Sequence, residues 1–211
     1  MKKEINLIGL LDDVFKPENV NNHLIQQVYD EFLYLGYFLK GLRPVNILEI
    51  GTLGGSFHFF NILSTGIKIG LNIDSYHIEK YNEINGEDDN SIFIHGNSHE
   101  QGTFDKVKEI CDSFDFIFID GDHTYEGVKI DFYLYKELLS DNGYIGFHDI
   151  DPEHIFVEKD RYNDVNPFWN ELQDGNKTSI ICNKSNVGKI FMKKDEKFHN
   201  THFGGIGLWR P

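Results

Sequence analysis

From residue 45 onward the chain alternates short apolar runs with stretches of helical spacing. The runs are VNILEI (45–50), KIGLNID (68–74), SIFIHG (91–96), FDFIFID (114–120) and GYIGFHDI (143–150). Between them, SFHFFNILS (56–64), TFDKVKEICDSF (103–114) and YEGVKIDFYLYKELLS (125–140) space their apolar residues as helices do; Val128, Phe132, Tyr135 and Leu139 fall near one face. Continuous apolar strands alternating with helices predict an α/β fold: a mostly parallel sheet with helices on both faces and right-handed crossovers. Upstream, residues 20–40 carry apolar side chains at Leu24, Val28, Leu35 and Phe38, which predicts one or two helices punctuated by Gly36 and by Gly41 and Pro44. Beyond residue 150 the pattern weakens. NPFWNELQ (166–173) reads as a short helix, and TSIICNK, GKIFMKK and GIGLWRP are strand candidates. The expected organisation is an N-terminal helical extension, 1–44, packed on one unit, 45–211.

The polar residues fall where the strands end. Glu49 and Gly51 close the first run and Asp74 the second. Gly96-Asn97-Ser98 close the third, Asp120-Gly121-Asp122-His123 the fourth, and His148-Asp149 the fifth. In open α/β sheets, ligands bind beyond the carboxyl ends of the strands. One such cluster is ordinary turn chemistry; five in register predict the rim of a binding cleft. The loop LEIGTLGGS, with Gly51, Gly54 and Gly55, lacks the G-x-G-x-x-G spacing of a dinucleotide site. It also begins with an acid, which disfavours a pyrophosphate and suits a ligand with a positive amino group. It is not a P-loop either, since no Gly-Lys-Ser/Thr follows.

The formal charge of -14 argues against nucleic acid and anionic membrane as partners, because both are held by clustered Lys and Arg. Cys111 and Cys182 are far apart, without zinc spacing, and read as reduced thiols. The N-terminus is a poor signal peptide, and no apolar run approaches the roughly 20 residues of a membrane span. The expected setting is soluble and cytoplasmic.

The pattern E-x-G-x-x-x-G-S after strand 1, Asp74 after strand 2, a polar pair after strand 3 and Asp120 after strand 4 resembles class I S-adenosylmethionine (SAM) methyltransferases over residues 45–150. The resemblance implies a Rossmann-like fold with a seven-stranded sheet, and SAM as cofactor. By matching position, Glu49 and the loop Gly51, Thr52, Gly55 and Ser56 approach the methionine part. Asp74, with Ser75 beside it, takes the ribose hydroxyls. Asn97 and Ser98 meet the adenine edge, and Asp120 and Gly121 complete the pocket.

A narrower resemblance comes from DGDHTYEGVKIDFYLYKELLSDNGYIGFHDI, with VNPFWNEL and GGIGLW downstream. It is similar to the O-methyltransferases of macrolide sugars and cephalosporin clusters. That similarity implies a hydroxyl acceptor on a sugar or other small polyhydroxylated molecule. It also implies a divalent metal, Mg or Mn, at Asp120, His148 and Asp149, with His123 as base and Asp120 and Asp149 beside it. His148 stands where those relatives carry a carboxylate. Imidazole favours Mn²⁺, Fe²⁺ or Zn²⁺ over Mg²⁺, so the departure leaves open whether a metal is bound, and Asp122 is a substitute ligand.

Two other readings stay open: an NAD-linked oxidoreductase, opposed by the glycine spacing and Glu49, and a non-catalytic SAM-binding or partner-binding domain. The remaining histidines, His58, His77, His95, His99, His154, His199 and His202, lack ligand spacing and read as surface or satisfied groups. The segment 151–176 is expected to form a lid, mobile without ligand. The aromatic N-terminal helix is a candidate contact in a homo-oligomer.

Overall fold

The computed structural model describes residues 5–86, 91–152, 164–182 and 204–211. Seven strands form one sheet in the order β3-β2-β1-β4-β5-β7-β6. They are β1 (Ile47–Ile50), β2 (Lys68–Asn72), β3 (Ser91–His95), β4 (Phe114–Ile119), β5 (Leu139–Phe147), β6 (Asn176–Ile180) and β7 (Ile206–Arg210). The first five are mutually parallel; β7 runs antiparallel to both β5 and β6. The chain winds outward from β1 through β2 to β3, then returns to the other side of β1 for β4 and β5. The order therefore reverses between β1 and β4, the point at which such sheets open a crevice.

β4 shows why this sheet is covered on both faces. Its side chains alternate between two cores. Ile117 and Ile119 point into one, with Phe132, Tyr135, Phe147, Phe168 and Trp169. Phe116 and Phe118 point into the other, with Phe32, Leu35, Phe59 and Phe60. The first core is closed by α6 (Gln101–Ile110), α7 (Tyr125–Tyr135) and α8 (Val165–Glu171). The second is closed by α1 (Leu7–Val14), α3 (Tyr29–Leu42) and α4 (Gly54–Leu63). A short α2 (Pro17–Asn21) lies on the N-terminal side, and α5 (Tyr76–Asn85) links β2 to β3.

Several expected boundaries move. Residues 22–28 are not helical, although the spacing predicts a helix through them. Leu24 and Ile25 instead lay this segment over the start of α4, where the Gly55 N–H donates to the Leu24 carbonyl at 2.8 Å. Gly36 lies inside α3, not at its end; a Cβ there would meet Leu7 Cδ1 at 2.5 Å, so it lets α1 pack closely. The α7 helix ends at Tyr135, and after one 3₁₀ turn β5 begins at Leu139, four residues before the expected 143. Of the C-terminal candidates, TSIICNK contributes to β6 and GIGLWRP to β7, while GKIFMKK lies outside the described residues. The lid expected over 151–176 falls partly on 153–163, also outside them. Its C-terminal part is core: Phe168 and Trp169 are buried against Phe147. Among the described residues no helix is long and apolar enough to cross a membrane.

Two glycines give opposite expectations. Gly51 has φ +84°, and a Cβ there would lie 2.1 Å from the Asp120 carbonyl oxygen, which is backbone and cannot swing aside. Gly41 lies within α3 with open space around it. Gly51→Ala is expected to destabilise by at least about 1–3 kcal/mol from backbone strain alone, and Gly41→Ala to stabilise by up to about 1 kcal/mol. Urea denaturation of both variants checks this; equal effects would contradict the close β1–β4 approach.

Candidate active site

At the carboxyl ends of the parallel strands lies a cavity of about 720 Å³. Its walls come from every expected strand end: Gly51 and Leu53 after β1, Asn72 and Ile73 at β2, Gly96 to His99 after β3, Asp120 to Thr124 after β4, and His148 and Asp149 after β5. The segment Gln26–Val28 supplies one further wall.

Asp120 is the hub. Gln27 Nε2 donates to its Oδ2 at 2.7 Å. On Oδ1 converge His148 Nδ1 at 3.1 Å and His123 Nε2 at 3.3 Å. His123 Nε2 also lies 2.9 Å from Asp149 Oδ2. Asp149 reaches it because its backbone is left-handed, φ 62°, a conformation Asp tolerates better than most residues. His148 is buried, its Nε2 3.7 Å from Glu31 Oε2, and Glu31 Oε1 accepts the Gly205 N–H at 2.9 Å. A buried acid on α3 thus faces the back of His148 and also ties down the start of β7.

Burial alone would lower the His123 pKa; the Asp120 and Asp149 carboxylates outweigh it and raise it to about 10. Burial likewise opposes charge on His148, and Asp120 and Asp149 push its pKa well above the ordinary value. Burial would raise the carboxyls of Asp120 and Asp149, but the two imidazoliums hold both below the usual carboxylate range. The metal-free cluster is therefore ionic: two imidazoliums among carboxylates.

Three ligand atoms, from Asp120, His123 and Asp149, lie within 4.8 Å of one another. His123 completes this group, and His148, the expected third ligand, stands beside it, its Nδ1 3.1 Å from Asp120 Oδ1 and 3.3 Å from Asp149 Oδ1, with Glu31 behind it. Asp122 is not in the set; its Oδ1 accepts the Thr124 N–H at 2.9 Å. The cap of α7 is Thr124, whose hydroxyl accepts the Gly127 N–H.

The other expected cofactor residues divide. Gly51, Asn97, Ser98, Asp120 and Gly121 line the cavity. Glu49, Thr52, Gly55, Ser56, Asp74 and Ser75 do not. Glu49 is fully buried and neither carboxylate oxygen has a hydrogen bond of ordinary geometry; burial first, and then the charge of Asp120, drive its pKa well above normal, and the nearby Ser56 and Thr52 hydroxyls only partly offset this. Thr52 Oγ1 bridges the Glu49 carbonyl and the Leu71 N–H. Ser56 donates to the Leu53 carbonyl. Asp74 accepts the Tyr76 N–H at 3.1 Å and stands half-exposed beside His77. The β2 rim is formed by Asn72 and Ile73.

Gln27, Glu31 and His99 are site residues that motif reasoning misses. Gln27 carries no signal. Glu31 does, since it interrupts the apolar stripe Val28, Phe32, Leu35 of a helix. His99 follows the Asn97-Ser98 pair directly.

Comparison with known proteins fits this geometry. Residues 48–150 match the family model described as "Methyltransferase domain". An uncharacterized protein of Acanthamoeba polyphaga mimivirus is 31% identical over 110 residues, 48% of this chain and 50% of that protein, so the chain spans about half the length of its curated relative. An O-methyltransferase from Bacillus cereus in complex with SAH (S-adenosylhomocysteine) superposes with TM-score 0.65 at 18% identity, covering 100% of this chain and 93% of that one. The MycE methyltransferase of mycinamycin biosynthesis, solved with Mg, SAH and mycinamycin VI, gives TM-score 0.54 at 19% identity over 70% of this chain and 40% of that one. The fold is the Rossmann-like class I methyltransferase fold, and the matched segment carries the strands that build the cavity.

The raised His123 pKa has a defined consequence. Its ionisation contributes stability that is complete below about pH 6.5 and is lost as pH rises through about 10. The stability advantage of the wild type over His123→Gln is expected to shrink across that window, with the imidazole resonances titrating near pH 10. A constant advantage, or a midpoint near the ordinary 6.5, would contradict the ionic cluster.

Proposed function

We propose that this protein is a SAM-dependent O-methyltransferase whose acceptor is a hydroxyl of a sugar or other small polyhydroxylated molecule, assisted by a divalent metal. The observation that carries the reading is the ionic cluster of Asp120, His123 and Asp149 beside a nucleoside-sized cavity at the β1–β4 reversal. Cavities of this size hold small ligands, and the same strand ends are lined by glycine and polar residues. SAM supplies an electrophilic methyl group for in-line displacement.

Within this reading the chain's own groups divide the work. The backbone of Gly51 to Leu53 and of Gly121 gives close approach to the cofactor. Asn72 Nδ2 donates to the Thr52 carbonyl at 2.7 Å, which leaves Oδ1 to accept from a ribose hydroxyl, the role expected of Asp74. Ser98 and Asn97 border the base. Asp120 and Asp149 orient the acceptor, a positioning effect that can exceed the proton-transfer one.

The donor set of two carboxylates and one imidazole fits Mn²⁺ or Fe²⁺ better than Mg²⁺. His123 Nε2 already presents a positive N–H between the two carboxylates, where a cation would compete with it. A bound divalent ion acidifies a hydroxyl and fixes its oxygen. His123 acts as the base in its neutral form or as the third ligand; the close grouping with Asp120 and Asp149 favours the ligand role.

Calorimetric titration with SAH is expected to show binding, and titration with NAD none; the reverse result would favour an oxidoreductase. His123→Ala is expected to keep SAH binding and lose about 10²–10⁴-fold in turnover. Unchanged turnover would remove His123 from the chemistry. Mn²⁺ binding near neutral pH is expected to release a proton from the cluster, read as a dependence of the binding enthalpy on buffer ionisation. Binding without proton release would place the metal elsewhere.

A further inference from the structure

The cavity has two unlike ends. The ionic cluster lies on the side of the sheet covered by α3, whose Glu31 backs His148 and whose preceding segment supplies Gln27. Opposite, on the α7 side, the loop after β3 is drawn across and pinned. Tyr135 on α7 donates its hydroxyl to the Ser98 carbonyl at 3.1 Å, and His99 Nε2 lies 3.6 Å from Asp131 Oδ1.

Asp131 is unusual. It occupies the apolar stripe of α7 with Val128, Phe132 and Tyr135, it is fully buried, and neither of its oxygens has a hydrogen bond of ordinary length. A buried carboxylate left without partners is costly, and the nearest compensation is the ring of His99, which lines the cavity. His99 Nε2 is buried on the Asp131 side. With Nε2 turned to Asp131, Nδ1 is the ring nitrogen placed to meet a ligand. The same cavity is lined by the apolar residues Leu53, Leu71 and Ile73, which suit a planar ring.

We infer that His99, held by Asp131, recognises the nucleobase end of the bound nucleoside, donating from Nδ1 to a ring-nitrogen acceptor of a purine. The inference rests on the proposed cofactor reading and assigns a residue to it that position in the fold alone does not. Protonation decides the outcome, because only the imidazolium donates from both nitrogens while Asp131 holds Nε2. The groups facing His99 are the Asp131 carboxylate and the Gly127 carbonyl from α7, and Asp122 from the β4–α7 loop. Asp131 is the main cause raising the His99 pKa, burial opposes it, and Asp122 and the Gly127 carbonyl add to the rise. Binding is therefore tight below that raised pKa and is lost as pH rises through it.

The test is calorimetric affinity for SAH and for 5′-methylthioadenosine, which lacks the amino-acid end, from pH 6 to pH 9 on the full chain. Wild type, His99→Gln and Asp131→Asn are compared. At the acid end, His99→Gln is expected to weaken both ligands about 10- to 100-fold, the range of a charge-assisted hydrogen bond. The wild-type affinity falls towards that of the variant as pH rises. Asp131→Asn shifts the fall to lower pH, an effect that a merely structural role of Asp131 would not produce. Wild-type SAH binding with His99→Gln equal in affinity and pH profile would overturn the inference and leave the cofactor reading standing. A loss confined to SAH and absent for methylthioadenosine would also overturn it, since the contact would not be to the nucleoside. No binding of SAH by the wild type at any pH would overturn the cofactor reading and the inference with it.

Discussion

Asp120 is the group on which the site depends. It ends β4, the strand lying beside β1 where the strand order reverses. Its backbone is fixed by a 2.8 Å hydrogen bond from its N–H to the Ile50 carbonyl, and Gly51 has no Cβ to push it away. Its carboxylate gathers Gln27, His123 and His148 from three different parts of the chain. A buried carboxylate survives only with such compensation. That requirement orders the 26–28 segment, sets the ring of His148 against Glu31, and holds His123 between two acids. The cavity wall is thus an electrostatic consequence of one strand end.

The sheet's parallel half was legible because its strands are buried on both faces. FDFIFID is an unbroken apolar run for that reason, and its alternation between the two cores shows only once the helices are in place. The polar strand ends were legible as well, since five of them in register are rare in turns alone. Element boundaries were less so. LLSDNGYIG holds both a helix end and a strand start, and neither Leu138 nor Leu139 favours one over the other. The helical spacing of residues 20–28 was misleading, because the same apolar residues, Leu24 and Ile25, are buried by a coil lying on α4.

Of the residues placed by family position, Gly51, Asn97, Ser98, Asp120 and Gly121 line the cavity, whereas Glu49, Thr52, Gly55, Ser56, Asp74 and Ser75 lie outside its lining. Thr52 and Ser56 spend their hydroxyls on nearby backbone, and Asp74 lies two residues beyond the last residue of β2. The overlooked groups, Glu31 and Asp131, share one signature: an acid inside the apolar stripe of a helix. Such an acid is buried by the periodicity that buries its neighbours, so it needs a positive partner. In both cases that partner is a histidine at a strand end, His148 for Glu31 and His99 for Asp131. The two pairs stand on opposite layers of the sheet and border the two ends of one cavity.

The central claim is that this cavity brings a SAM methyl group to an acceptor at the Asp120 cluster. A crystal structure of the protein grown with SAH and Mn²⁺ tests it most directly. The account predicts the nucleoside along the β1–β3 strand ends, the sulfur directed towards Asp120, and the metal touching Asp120, His123 and Asp149. Clear density for SAH elsewhere, or a metal bound away from Asp120, would contradict it.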